Sequence, residues 1–463
     1  MRIPNLRPVS WTNDRLPETL WCALLLSQMG RGPALTIFRK AAKLVPQPPD
    51  AEMEIDPTHS GIASLDPATR EKFLSVICSE EEAKSSLRPL LLMSKLPARE
   101  CWLQAIGQLA SAEDWEALKL AVARVLFHQA QEATDCRWVR VLFRILSGKL
   151  NLRSHEEVRE ILEYPEYGEQ KKVRPTIRAM EGALSAGSLP SLTWPKDFWE
   201  QCLTDTVCET RRQAEATLTP HPATTRMRVR QVREALAEQQ RKSLVTTDVD
   251  TKHDAVFGLA AYSLGILDEL ISPGNSTSIL GRIGLRTLLE CFITLSYLRQ
   301  QDTTELWAGY RQYGAGQAKL AFLKLDELSK TVPTSISVEV LEQLANEDRW
   351  QELVTIDLGH WANKDLRKMS EAAHVKPEYD ALYPWTSAFT HGNWAAVRNS
   401  CFDLCVNPLH RLHRRVRPDS ATLEDVIRDA CEIVDRILQI VEDLYPGLSV
   451  RVVLASGPLS NQK

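Results

Sequence analysis

Residues 278–299 read SILGRIGLRTLLECFITLSYLR, from Ser278 to Arg299. Apolar side chains fall on nearly every side of a helical wheel: Ile279, Leu280, Ile283, Leu285, Leu288, Leu289, Phe292, Ile293, Leu295 and Leu298. A helix that is apolar all round is a buried helix. It needs other helices to cover it, and the stretch therefore points to an all-α domain. Within it Arg282, Arg286 and Glu290 recur every four residues, on one face. A buried charge is costly unless it is paired and hydrogen-bonded. Arg286 and Glu290 are expected to pair with each other and with a partner helix, either as a structural ion pair or as part of a functional cluster.

Working outward, the periodicity predicts helices over 255–271, 304–328, 338–344, 378–390 and 423–444. The last has the stripe Val426, Ala430, Ile433, Ile437, Ile440, Val441 and Leu444. The 378–390 helix offers a second polar ridge: Tyr379, Tyr383, Ser387 and His391 follow at steps of four, which on a helix share a face. Gly392 after His391 is a natural helix stop, and the helix C-terminus favours a protonated imidazole. Pro384 either kinks this helix or marks its first turn. Packed hydroxyls capping backbone groups are the plain alternative. Strand signals are few, with candidates only at 244–250 and 448–455.

The N-terminal third also reads as successive helices, beginning with Leu16–Val45, for which Asp14 is a plausible N-cap. Asp66-Pro-Ala starts another, and no fixed repeat is evident. Residues 185–198 (SAGSLPSLTWPKDF) are rich in Ser, Gly and Pro and suggest a boundary. The expected organisation is an N-terminal helical domain over 1–190, a basic linker or hairpin over 191–251, a C-terminal helical domain over 252–447 and a tail over 448–463. The stretch 209–242 holds eight Lys or Arg against four Glu. Arg226, Arg228 and Arg230 there, and Arg411, Arg414 and Arg415 in HRLHRRVR (His410–Arg417), are candidates for nucleic-acid phosphates. Solvated surface is the alternative.

The 463-residue chain is 44% hydrophobic and 25% charged with a formal net charge of -4, so any basic surface is local. It has no apolar run long enough to span a membrane and no signal-peptide pattern at its start, so a cytoplasmic location is expected. The ten cysteines read as buried thiols in a reducing compartment. Cys401, Cys405, His410 and His413 form C-x3-C-x4-H-x2-H, but zinc fingers leave a longer central loop. Neither a metal nor a cofactor is expected. Phosphate-loop, dinucleotide, zinc-protease and serine-hydrolase motifs are absent from the sequence.

Three blocks together resemble a bacterial family known as domain of unknown function 5677. RTLLE (Arg286–Glu290) is similar to its first signature. HWANKDLRKMSEAA, with Trp361, Arg367 and Met369, is similar to its second, and Tyr379, Tyr383, Ser387 and His391 fit its third. The resemblance covers about residues 252–442, and DRLPETLWCALL (Asp14–Leu25) looks like the start of longer members. It implies an all-helical domain and brings no established activity. A looser similarity is to HEPN-like domains, many of which cut RNA in toxin and antiviral systems. Their usual Arg and His lie four to six residues apart on one helix, whereas here Arg286 and His391 would meet from different helices. The resulting expectation is an RNA-directed effector in bacterial stress or phage defence. In it His391 moves a proton on the ribose 2′-hydroxyl, Arg286 stabilises phosphate, Glu290 orients, and Tyr383 and Ser387 donate hydrogen bonds. The alternative is a non-catalytic scaffold that meets a protein partner through its N-terminal helices. Either form is compatible with a homo-oligomer.

Overall fold

The computed structural model describes residues 9–45, 55–150, 154–167, 171–186, 193–210, 223–328, 333–345, 361–419 and 421–453. Among these the chain is mainly α-helical, with one two-stranded sheet of β1 (Phe402–Leu404) and β2 (Arg414–Val416). It divides into two units: Met1–Arg211 with Asp403–Arg415, and Arg212–Phe402 with Val416–Lys463. Residues 211–222, within the basic stretch, and the tail beyond residue 453 lie outside the described residues.

In unit 1 the run expected as one helix is two, α1 (Leu20–Gln28) and α2 (Arg31–Ala42). The break is at Gly30, whose φ of 84° lies in the left-handed region that glycine tolerates. Asp14 is not the N-cap. Ser10 caps the turn Trp11–Arg15, and the Asp14 carboxylate accepts from the Ser10 N–H at 2.7 Å. Asp66 caps Pro67–Ile77 as its sequence suggests, accepting from the Thr69 N–H at 3.1 Å. The core of this unit centres on Trp21, packed edge-on against Phe38 and Phe73 at 5.4 and 6.1 Å. Its indole N–H donates to the Pro57 carbonyl at 2.8 Å.

Further helices of the unit include α3 (Asp114–Leu126), α4 (Gln131–Leu146), α5 (Val173–Ala186) and α6 (Trp194–Asp205). Residues 194–205, placed in a linker by the sequence reading, are thus a helix of unit 1. Glu181 of α5 is buried and gathers three guanidinium groups: Arg15, Arg140 at 3.3 Å and Arg137 at 3.5 Å. Arg140 also reaches Asp56 at 3.2 Å, and Arg137 lies over the Trp11 ring at 3.9 Å. Burial lowers the Arg137 pKa to about 10 even so.

The helices of unit 2 include α7 (Ala223–Ser243), α8 (Thr251–Ile271), α9 (Ile279–Gln301), α10 (Thr304–Leu328), α11 (Leu366–Ala372), α12 (Lys376–Thr390), α13 (Trp394–Cys401) and α14 (Ile427–Leu444), and Val338–Ala345 is helical as its periodicity predicts. The apolar helix of the sequence reading is α9, and α8, α11, α12 and α14 pack directly on it. Ala430, Ile433, Ile437, Ile440 and Val441 of α14 are buried, as their spacing requires. Neither 244–250 nor 448–453 is a strand. Asp250 instead caps α8, and the Asp435 carboxylate takes the backbone N–H groups of Val452 and Val453 at 2.6 and 2.9 Å, occupying donors that a strand would pair.

Two stability predictions follow from unit 1. Glu181→Ala strands buried guanidinium groups, so the unfolding free energy of this unit, read from urea titration, should fall by about 3–5 kcal/mol. His59 is fully buried between Trp102 and Trp194, at 5.5 and 5.9 Å, and burial lowers its pKa to about 3. The folded ring stays neutral while the unfolded ring takes a proton below its ordinary value. Its contribution is therefore complete above about pH 6.5 and is lost as pH falls toward 3, by at most about 1.4 kcal/mol per pH unit. Thermal melts of wild type and His59→Phe from about pH 7 to about pH 4.5 should converge or cross, with the variant less acid-sensitive.

Candidate functional site

The site is built on α9. Ser278 caps its start, accepting from the Leu280 N–H at 3.1 Å. Glycine is required at position 281, because a β-carbon there would come within 2.5 Å of the Ser276 carbonyl oxygen. Close approach of the 275–276 loop lets Arg282 donate to the Ser276 carbonyl at 3.2 Å and to Glu424 at 3.2 Å. Arg282 thereby ties the start of α9 to the segment leading into α14.

One turn on, Arg286 is 7% exposed, and its Nη2 pairs with Glu290 at 2.6 Å. Its guanidinium carbon lies 3.6 Å from the centre of the Tyr383 ring, a cation–π contact in a desolvated position. Tyr383 is in turn stacked on Tyr379 at 4.3 Å with 24° between the rings. Burial raises the Tyr379 phenol pKa, and the neighbouring Tyr383 adds to the rise. Arg286 Nε and Nη1 are buried and have no hydrogen-bond partner among the described residues. Glu290 is half open, with 43% of its side chain exposed.

Arg286, Glu290 and Tyr383 are therefore brought together, with Tyr379 added. Ser387 and His391 are not joined to them by any hydrogen bond or ion pair among the described residues. For His391 helix geometry gives the reason. Each step of four residues overshoots a full turn by about 40°, so a ridge of three steps swings by about 120°. His391 also lies about 12 Å along the axis from Tyr383. It ends α12 as an exposed cap, and the stop is a Schellman motif: Asn393 N–H donates to the Ala388 carbonyl at 2.9 Å and Gly392 N–H to that of Phe389 at 3.5 Å. Pro384 lies inside the helix, whose first turn holds Pro377 instead.

Of the second block, Met369 is fully buried and Trp361 packs edge-on against Tyr297 and Tyr310 at 6.0 and 5.2 Å. Arg367 is exposed and pairs with Glu371 at 3.3 Å. Met369 and Trp361 thus pack into the core beside α9, whereas the Arg367 pair lies on the open face of α11.

The six basic candidates are differently employed. Arg226 donates to the Ser272 hydroxyl at 3.2 Å, Arg228 to the Arg451 carbonyl at 2.8 Å, and Arg230 faces Glu234 at 3.6 Å. Arg411 donates to Asn13 at 2.7 Å and covers the Trp199 ring at 4.8 Å, which gives it a structural role in unit 1. Arg414 and Arg415 are exposed on β2.

Three features escaped the sequence reading. Trp385 and Trp394 are exposed on either side of His391, by 46% and 58%. Cys405, His410 and His413 converge on Cys208, and Cys401, which ends α13, is not part of the group. Finally, a cavity of about 470 Å³ opens beside Cys78, Cys101, Arg70 and Lys84, but burial pushes the Cys78 thiol up to about 12, which suits packing more than nucleophilic attack.

No curated protein and no solved structure matches the chain. No helix among the described residues is long and apolar enough to cross a membrane. Residues 255–404 match the model of a family of unknown function, DUF5677, and the Arg286–Glu290, Trp361–Met369 and Tyr379–His391 blocks all fall within that span.

Proposed function

We propose that this is an RNA-directed protein of the bacterial cytoplasm, serving in stress or phage defence, and that unit 2 engages single-stranded RNA along α12 and α13. The observation that carries the proposal is the pair of exposed tryptophans flanking His391. Each rests on a second ring, Trp385 on Phe389 at 5.2 Å and Trp394 on Phe402 at 5.7 Å, which limits its motion. Rigid exposed indoles are platforms on which unpaired bases stack. Arg398, exposed one turn after Trp394 on the same face, offers a cation for the adjoining phosphate.

In this reading the Arg286–Glu290–Tyr383 set is positioning machinery. It clamps α12 to α9 and so fixes where the tryptophans and His391 stand. His391 supplies the acid–base group for a metal-independent cleavage at the ribose 2′-hydroxyl. A protein-binding scaffold is the second reading. It is favoured by Leu120 on α3 and Phe127 just past the end of that helix, which are 48% and 63% exposed.

Anisotropy titrations of labelled single-stranded RNA with the full chain, over a range of salt, test the proposal. Binding should weaken with salt, and Trp385→Ala and Trp394→Ala should each weaken it about 5- to 150-fold, equivalent to about 1–3 kcal/mol per lost stack. His391→Ala should bind as wild type does but leave host RNA intact on expression. Absence of salt-dependent binding, with both tryptophan variants indistinguishable from wild type, would overturn the RNA reading in favour of the scaffold.

A further inference from the structure

The chain after α6 runs beside residues 405–413, and both segments belong to unit 1. Val406 N–H donates to the Glu209 carbonyl at 2.6 Å, and Thr210 and Cys405 form an antiparallel bridge. Buried Asn407 clamps the two segments. Its Oδ1 accepts from the Leu409 N–H at 3.0 Å and its Nδ2 donates to the Val207 carbonyl at 2.9 Å. On this frame Cys208, Cys405, His410 and His413 each direct one donor atom toward a common point, and the four atoms lie within 4.8 Å of one another. Cys208 Sγ is 3.3 Å from His413 Nε2, and Cys405 Sγ is 3.3 Å from His410 Nδ1.

Two separate S–H···N hydrogen bonds account for those two distances, but they give no reason for all four donors to converge. A tetrahedral ion does. With Zn–S near 2.3 Å and Zn–N near 2.0–2.1 Å, neighbouring sulfur and nitrogen ligands stand about 3.6 Å apart. The His410 tautomer is also fixed for the task. Thr206 has one hydroxyl proton, which it gives to the Cys202 carbonyl at 2.7 Å. Its oxygen can then only accept from His410 Nε2, at 2.9 Å, and Nδ1 keeps its lone pair toward Cys405. This is the outer support that metal-bound histidines use. Between the histidines, Arg411 and Leu412 adopt φ of 52° and 56°, a conformation that side chains resist, and the resulting turn brings His413 back beside His410.

We propose that Cys208, Cys405, His410 and His413 bind a zinc ion in a closed, structural Cys2His2 site. Four protein ligands leave no open position for substrate, and tetrahedral S2N2 coordination selects zinc. Binding releases a proton from each thiol. The ion joins two segments far apart in sequence, and the role follows from that: it completes unit 1.

Elemental analysis of the purified full chain, expressed with added zinc, should find about one zinc per chain. Cys208→Ser and His413→Ala should reduce this at least about tenfold, while Cys401→Ser, outside the group, should retain it. Loss of a ligand can unfold the unit, so wild type provides an independent measurement. After removal of zinc by a chelator and addition of Co²⁺, it should develop the intense visible bands and thiolate charge transfer of a tetrahedral S2N2 centre. Zinc should also slow alkylation of Cys208 and Cys405 by at least about tenfold. Zinc-free wild type that gives no cobalt spectrum and no thiol protection would overturn the proposal, as would equal zinc loss in Cys401→Ser.

Discussion

Both units are organised around the burial of guanidinium groups. In unit 2, α9 is covered on nearly all sides, yet Arg282 and Arg286 project from it at 4% and 7% exposure. Water cannot solvate them, so the surrounding elements must. Arg282 recruits the Ser276 carbonyl and Glu424, and Arg286 recruits Glu290 and the face of Tyr383. These requirements set the position of α12 and the approach of the chain to α14. Unit 1 meets the same demand differently, by placing one carboxylate, Glu181, among three arginines. Replacing such groups by apolar ones is often tolerated, whereas removing one partner is not.

This bears on how the family blocks are read. Arg286 is buried beneath the Tyr383 ring, and of this set Glu290 is the more open, with 43% of its side chain exposed. Trp385 within α12, His391 at its end and Trp394 at the start of α13 are exposed. A device that fixes a helix and a surface that the helix presents are separable in their effects: the first governs stability, the second affinity.

Local spacing made the fold class and much of unit 2 legible. Buried faces of α9 and α14, the Arg286–Glu290 pair and the stop at Gly392 all depend on neighbours within one or two turns. What the spacing did not reveal was angular drift. Tyr379, Tyr383, Ser387 and His391 look like one ridge when written as a row, but the accumulated rotation carries His391 out to solvent. The break at Gly30 was hidden because leucines on both sides continue the apolar pattern. Cys208 was hidden by distance along the chain. Cys401, four residues from Cys405, was the natural partner on spacing, but it ends a helix of the other unit while Cys208 lies across a backbone bridge.

The insertion of Asp403–Arg415 into unit 1 also gives that unit a schedule. Leu409, from this insertion, is part of the unit 1 core, and Arg411 covers Trp199. On the ribosome the N-terminal helices emerge first, but their last structural piece is encoded behind most of unit 2. At about 5–20 residues per second, the wait between Thr210 and Asp403 is roughly 10–40 s. During that interval the place of Leu409 in the unit 1 core is unfilled, so the unit whose synthesis begins first cannot close until most of the chain has been made.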